Sequence, residues 1–282
     1  DYPEDTDLEF LNKTLEEKYN HVEYINENSS DFLGISKNLG KIIDIEKYFR
    51  KMMICKFTPG QLRSLYQSML QVLNIYESLE NHYEYLHILE ESNQDLKKNT
   101  TILKEKIEKT VNIELCNGNT IDKNIFNRGV YPSVDKIVDT LEESESKLEC
   151  IRVFLDDCVC KEERKKNKNP FVTFHTTEKN GIYIQCTKRR TKLLQEYFKK
   201  YKNKVITLTY QVNNKKKKFE FDVSTLQFLS ATSTNQKIEN DVIRKLSNNV
   251  TLYKNKVLDE VNQYFDLFIK SLKENNNEFQ TI

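Results

Sequence analysis

Two long stretches of this chain repeat apolar residues with the three-and-four spacing of a helix. One covers residues 134–155 and the other covers 246–268. At 1.5 Å per residue, helices spanning 133–166 and 234–272 would each be about 50 Å long. The simplest arrangement is an antiparallel pair, in which one helix leaves a core and the other returns to it.

Polar residues near the start of each stretch predict where the helices begin. Ser133, directly after Pro132, is a candidate N-cap for the first helix. Ser233 and Gln236 have the spacing of a capping box, in which each residue satisfies a backbone N–H of the other, and could open the second helix.

The residues before the first long helix also predict helices. Apolar residues recur at helical spacing over 42–53 and 62–79, and more weakly over 83–113. Only six Gly and four Pro occur in 282 residues, which disfavours a many-turned β fold. We therefore expect a mainly α fold in which a helical core carries the long two-helix arm.

The segment between the two long helices predicts β-structure instead. Its candidate strands are 171–175, 182–186, 205–212 and 219–223. Asn180-Gly181 and Asn213-Asn214 are turn signals that would make two hairpins of them. Residues 193–198 could form a short helix between the hairpins.

Charge is spread very unevenly along the chain. Residues 161–218 hold 18 of the 44 Lys and Arg but only four of the 43 acidic residues, a formal charge of +14 against −13 for the rest. Most single charge runs are solvated surface. Several runs within one segment are typical of a surface that binds nucleic-acid phosphates and releases their counterions. The candidate binding residues are Lys188, Arg189, Arg190, Lys192, Lys199, Lys200, Lys215, Lys216, Lys217 and Lys218.

Four motifs, in this order along the chain, resemble the MutS family of DNA mismatch-repair proteins. The first is an apolar-Asp-apolar-Glu run in which Lys47 replaces the family's usual Arg. The motifs are Ile43-Asp44-Ile45-Glu46-Lys47, Thr58-Pro59-Gly60-Gln61-Leu62, Gly129-Val130-Tyr131 and Gly181-Ile182-Tyr183-Ile184-Gln185-Cys186-Thr187. One departure is the stretch Thr232–Gln236, where the family has a basic Arg-x-Thr-Leu-Lys run. Residues 188–204 also look like extra sequence relative to common bacterial members.

The resemblance implies an architecture and a function. It implies a helical core over 1–132, an outgoing lever helix over 133–169, a β-rich basic clamp over 170–230, and a returning lever helix and core over 231–282. The clamp would hold duplex DNA by sequence-independent backbone contacts, and the lever would link it to an ATPase domain outside this chain. The expected partners are double-stranded DNA and a second MutS-type subunit, in a homodimer or a heterodimer, and no membrane.

The residues themselves predict no catalytic, metal or cofactor site in this chain. The resemblance would place ATP and Mg²⁺ in the full-length parent. The segment Gly34 to Gly40-Lys41 is similar to a phosphate-binding loop, but it has five intervening residues instead of four, and Ile42 replaces the Ser or Thr that would hold magnesium. The spacing of Cys150, Cys158 and Cys160 suits no common zinc site.

Two further expectations concern the cellular setting and an alternative function. The six cysteines have no repeated spacing and no stretch is apolar enough to cross a membrane, so we expect reduced thiols in an intracellular protein. The alternative is a structural coiled-coil arm whose basic tip binds RNA, an acidic protein or a membrane surface.

Overall fold

The computed structural model describes residues 5–54, 56–80, 82, 92–163, 169–178, 181–200 and 204–280. These residues form a mainly helical fold with small antiparallel sheets, as the sequence predicted. The helices are α1 (Asp5–Glu27), α2 (Ser29–Leu39), α3 (Ile45–Met53), α4 (Pro59–Glu80), α5 (Ser92–Thr110), α6 (Pro132–Glu163), α7 (Lys188–Lys200), α8 (Asp241–Lys273) and α9 (Asn276–Gln280). The strands are β1 (Thr173–Thr177), β2 (Gly181–Thr187), β3 (Val205–Val212), β4 (Lys215–Asp222), β5 (Gln227–Ser230) and β6 (Asn235–Glu239).

The strands form two separate sheets. Four of them make an antiparallel sheet in the order β1-β2-β6-β5, and β3 pairs with β4 alone. Asn213 and Asn214 both have positive φ, 50° and 59°, as a two-residue hairpin turn with the right twist requires. The predicted hairpin around these two residues is therefore confirmed.

The chain divides into two compact units, with one boundary inside α8 and the others between residues 121 and 128. The first unit contains residues 1–121, 125–127 and 264–282, and the second contains 122–124 and 128–263. We describe each unit by itself.

The first unit is built around α4. A reciprocal capping box opens this helix, because the Thr58 N–H donates to Gln61 Oε1 at 3.0 Å and the Gln61 N–H donates to Thr58 Oγ1 at 3.3 Å. The buried side chains of its core include Met52, Leu62, Leu65, Met69, Leu103, Ile107 and Leu272. The predicted helical stripe over 62–79 is thus confirmed as helix, with its first apolar residues in the core.

The second unit packs helices and both sheets around one hydrophobic cluster. Its buried members include Leu148, Ile151 and Leu155 of α6, Ile184 and Ile238 of the four-stranded sheet, Leu194 of α7, Leu208 and Phe221 of the hairpin, and Ile243, Leu246 and Val250 of α8. Both long helices therefore bury part of their predicted apolar stripes in this core: residues 148–155 of α6, and Leu246 and Val250 of α8.

Several predicted helix starts are wrong by a few residues. The second long helix does not open at Ser233 and Gln236, because Asn235–Glu239 form β6. It begins at Asp241, and Asn240 Oδ1 accepts the Ile243 N–H at 2.9 Å as the cap. Helix α6 begins at Pro132, so Ser133 lies inside its first turn rather than before it.

The other helical predictions differ from the structure at their ends. Helix α3 starts at Ile45 rather than residue 42, because the Asp44 side chain caps it by accepting the Lys47 N–H at 2.8 Å. Of the predicted helical stretch 83–113, α5 accounts for residues 92–110, and residues 83–91 lie outside the described residues. The short helix predicted over 193–198 is longer, extending from Lys188 to Lys200.

Within the residues that the structure describes, no helix combines the length and the apolar character that crossing a membrane demands.

Candidate nucleic-acid interface

The ten candidate binding residues lie on two elements of the second unit. Six are on α7 and four are consecutive on β4. The basic run Arg164-Lys165-Lys166, which belongs to the same segment 161–218, lies outside the described residues. The two elements place their cations in different surroundings.

Helix α7 is fixed to the core through one face. Thr191 and Leu194 are fully buried, and the Phe198 ring stacks on Phe154 of α6 with 6.2 Å between centroids. At its start, the Lys188 N–H donates to the Thr234 carbonyl at 2.9 Å. The opposite face of this short amphipathic helix is therefore held outward.

Three lysines occupy that outward face of α7. Lys188, Lys192 and Lys199 are exposed, and their spacing of four and seven residues places them in one line along the helix. Among the described residues, no carboxylate forms an ion pair with any of the three. Their charge is therefore available to an external anion.

The two arginines of α7 are in a different position, because Glu163 at the end of α6 binds both. Arg190 Nε lies 3.0 Å from Glu163 Oε1, and Arg189 contacts the same oxygen. The Arg190 guanidinium also lies over the Phe171 ring, 4.0 Å from its centroid. Burial alone would raise the pKa of Glu163, but the two arginines hold it below its usual range, so the carboxylate stays charged and offsets one of them.

Lys217 lies near a carboxylate of the protein itself, with about half of its side chain exposed. On β4, Lys217 shares a face with the buried Phe221 and pairs across the ladder with the buried Tyr210. Its Nζ lies 3.8 Å from Glu143 of α6.

Glu143 is the centre of a polar cluster between α6 and the hairpin. It accepts from Lys147 Nζ at 2.8 Å and from the Tyr210 hydroxyl at 2.8 Å. Hydrogen bonds from Lys147 and then from Tyr210 hold the pKa of Glu143 below its usual range. Lys217 therefore belongs to the contacts that fasten the hairpin to α6.

The other face of β4 mixes both signs of charge. Side chains alternate along a strand, so Lys216 and Lys218 share their face with Glu220 and Asp222. Lys215 lies next to the turn, opposite Val212. The run of four lysines that looks uniform in the sequence is therefore divided by the fold.

The structure does not bring all ten residues to one place. The arginines of α7 are bound at Glu163 and Lys217 is bound near Glu143, twenty residues earlier on the same helix. At 1.5 Å per residue these anchors are about 30 Å apart. The basic segment is thus spread along α6 and not gathered into one cluster.

Sequence reasoning missed the two glutamates that select among the cations. Glu163 follows the apolar stripe of α6, and Glu143 stands four residues before Lys147, a spacing typical of a helical ion pair. That spacing identifies the Glu143–Lys147 pair, but neither contact with the basic segment is visible from spacing alone.

Other candidate chemistry finds little support among these side chains. No group of three metal-ligating residues occurs in the described part of the chain. Burial raises the pKa of Cys158 to about 12 and that of Cys186 to about 11, so both thiols are protonated and unreactive near neutral pH. Gly34 lies inside α2 and Gly40 caps its end in a helical conformation, so this segment is not a phosphate-binding loop.

Comparison with known proteins identified no relative of this chain. No protein-family model matches the chain, and no curated protein matches it.

Proposed function

We propose that this chain binds duplex DNA through sequence-independent contacts to the phosphate backbone, as the clamp and lever portion of a MutS-type mismatch-repair protein. The observation that carries the proposal is the line of exposed lysines on α7, with which no carboxylate of the described residues forms an ion pair. Cations in this position gain binding free energy by releasing the counterions condensed on DNA. Lysine contacts to phosphate oxygens position a protein on the duplex without reading its sequence.

The proposal gives α6 and α8 the role of an antiparallel lever. Both helices exceed 30 residues and both contribute to the core that also holds the sheets and α7. An element packed in this way moves with its helices, because close-packed interiors transmit displacement. In the parent protein the lever would link DNA contact to an ATPase domain outside this chain.

The same proposal assigns no catalytic step and no cofactor to this chain. ATP and Mg²⁺ would belong to the ATPase domain of the parent, and a second MutS-type subunit would complete a ring around the duplex. The motifs of the sequence carry this part of the proposal.

Salt-dependent binding tests the DNA proposal. We expect two duplexes of equal length and unrelated sequence to bind the 282-residue chain with similar micromolar affinity, within the range of about 1–100 µM for non-specific binding. Affinity should fall along parallel lines when its logarithm is plotted against that of salt between about 50 and 200 mM. Fluorescence anisotropy measures both.

Two results would contradict the proposal. The first is a strong preference for one sequence, or binding that salt does not weaken. The second is binding to single-stranded RNA or to vesicles of anionic lipid that is tighter than binding to duplex DNA, which would favour a basic arm with another partner.

A further inference from the structure

We infer that the lysine face of α7, defined as Lys188, Lys192 and Lys199, makes the phosphate contacts, and that the four lysines of β4 do not. This inference rests on the proposed function and narrows it to one surface. It reverses the order that the sequence suggests, because the run Lys215–Lys218 is the densest basic run in the described residues.

The geometry of α7 concentrates charge. At 3.6 residues per turn, the three lysines lie within an arc of about 40° around the helix and extend about 16 Å along it. Gln195, between Lys192 and Lys199 along the helix and about 20° outside this arc, is neutral. Glu196 lies about 40° to one side of Lys192. Glu196 therefore borders the line, but no ion pair joins it to any of the three lysines. A narrow line of cations with one flanking carboxylate and no ion pair is a surface that can follow a polyanion.

The support beneath the lysine face is rigid. Leu194 and Thr191 are buried on the opposite side of α7, and Phe198 stacks on Phe154. A contact made from such a helix needs only the lysine side chains to become ordered, which lowers the entropic cost of binding.

The lysines of β4 lie close to carboxylates: two acids share one face of the strand, and Glu143 pairs with Lys217. On the outer face, Glu220 and Asp222 balance Lys216 and Lys218, so its formal charge is zero. On the inner face, Lys217 is held by Glu143 at 3.8 Å. Lys215 shares the face of Lys217, next to the turn, and forms no ion pair among the described residues. A DNA strand approaching the outer face of β4 would meet two carboxylates as well as two lysines.

The position of β4 gives its lysines another role. Among the described strands β4 pairs only with β3, so its outer backbone edge is unpaired. The edge of β3 is occupied by α6, where the Ser146 hydroxyl donates to the Gln211 carbonyl at 2.7 Å and the Cys150 thiol donates to the Thr209 carbonyl at 3.2 Å. Lysines on an open edge strand prevent other strands from adding to it.

Matched triple variants of the 282-residue chain test this inference. The first replaces the lysine face: Lys188→Ala, Lys192→Ala and Lys199→Ala. The second removes the same charge from β4: Lys215→Ala, Lys216→Ala and Lys218→Ala. Because both lose three positive charges, a difference between them reports position and not net charge. Alanine favours helix, so the first triple should keep α7 folded, which circular dichroism checks.

The two triples should differ in both affinity and salt dependence. Each lost phosphate contact lowers the slope of the log–log salt plot by about 0.9. The lysine-face triple should therefore lower it by roughly 2–3 and weaken duplex binding at least about tenfold near 0.1 M salt. The β4 triple should change the slope by less than about 1. Replacing the lysine face by arginines should restore the slope.

The outcomes separate this inference from the proposed function. If the unsubstituted chain binds duplex DNA and the β4 triple loses as much as the lysine-face triple or more, the inference is wrong and the proposed function stands. If the unsubstituted chain does not bind duplex DNA in a salt-dependent way, both are wrong.

Discussion

Lys254 of α8 forms an ion pair with Glu145 of α6, with 3.0 Å between Nζ and Oε1. Both side chains are about half exposed, so the pair itself contributes at most about 1 kcal/mol. Its value is as a marker of proximity, because it joins the same two helices whose apolar residues share the core of the second unit. The polar contact and the buried cluster together indicate that α6 and α8 support one another.

Replacing Leu148 tests that mutual support. Leu148 is 1% exposed and lies in the same cluster as Val250. Leu148→Ala should lower the free energy of unfolding by about 2–5 kcal/mol, and Leu148→Asp should lower it further because the charge would be buried without a partner. Leu252→Asp is the matched control, since Leu252 of α8 is 48% exposed and should tolerate the change.

Hydrogen exchange shows whether these variants lose structure locally or throughout the chain. We expect Leu148→Asp to remove protection along α6 and the first part of α8, while α4 in the first unit stays protected. Unchanged protection along both long helices would show that they do not depend on this core, and the lever proposal would fail with it.

Low pH should weaken the contact between the hairpin and α6. The pKa of Glu143 is held below its usual 4.5 by Lys147 and Tyr210. A carboxyl whose pKa is lowered on folding stabilises the fold above its unfolded pKa, and this stability is lost as pH falls through the folded value. Stability of the second unit should therefore be constant near neutral pH and fall below about pH 4.5.

A single substitution tests how much of this acid sensitivity comes from Glu143. Glu143→Gln should be less stable at neutral pH and should lose less stability than the unsubstituted chain between about pH 5 and 3. The neighbouring Glu142 is exposed, so Glu142→Gln should keep the original pH profile. Equal profiles for the two variants in denaturant titrations would contradict a stabilising role for Glu143.

The parts of the fold that were predictable are those set by local sequence. The long helices follow from apolar periodicity, and the second hairpin follows from Asn213-Asn214, which can adopt the positive φ that its turn needs. Strands β5 and β6 were missed because their sequences, Gln227–Ser230 and Asn235–Glu239, are short and mostly polar. Strand β6 is fixed by pairing with β2, about fifty residues earlier, and such non-local pairing leaves no local pattern.

The positions of the basic residues were predictable from the sequence, but the contacts of their side chains were not. The sequence shows where Lys and Arg accumulate, yet it cannot show that Glu163 binds the arginines of α7 or that Lys217 turns toward Glu143. Both glutamates lie on α6, and their contacts with α7 and β4 arise only when those elements pack on it. Which cations remain available is therefore a property of the tertiary structure.

The β4 lysines should matter for solubility. Lys216→Val with Lys218→Val would remove both lysines from the outer face of the unpaired β4 edge and make its first half apolar, and open apolar edges add strands from other molecules. We expect concentration-dependent self-association beyond that of the unsubstituted chain, measured by sedimentation velocity. Lys192→Val with Lys199→Val removes the same charge from α7, which has no open strand edge, and should cause less. Equal association of the two variants would contradict an edge-protecting role.

Among the glycines of the second unit, Gly181 should lose the most stability when it is replaced by alanine. It begins β2 with φ of +61°, and a Cβ added there would lie 2.7 Å from the Thr251 Oγ1 of α8. Gly181→Ala should therefore carry two costs, about 1–2 kcal/mol for the left-handed backbone and a further cost for the contact with Thr251. Gly129 is the matched control, because it has φ of +91° and no atom within 4 Å of its built Cβ. Gly129→Ala should carry the backbone cost alone.

Adding Thr251→Ala to Gly181→Ala should restore stability to about the level of Gly129→Ala in urea titrations. If the second substitution restores nothing, the start of β2 does not pack on α8 at this point.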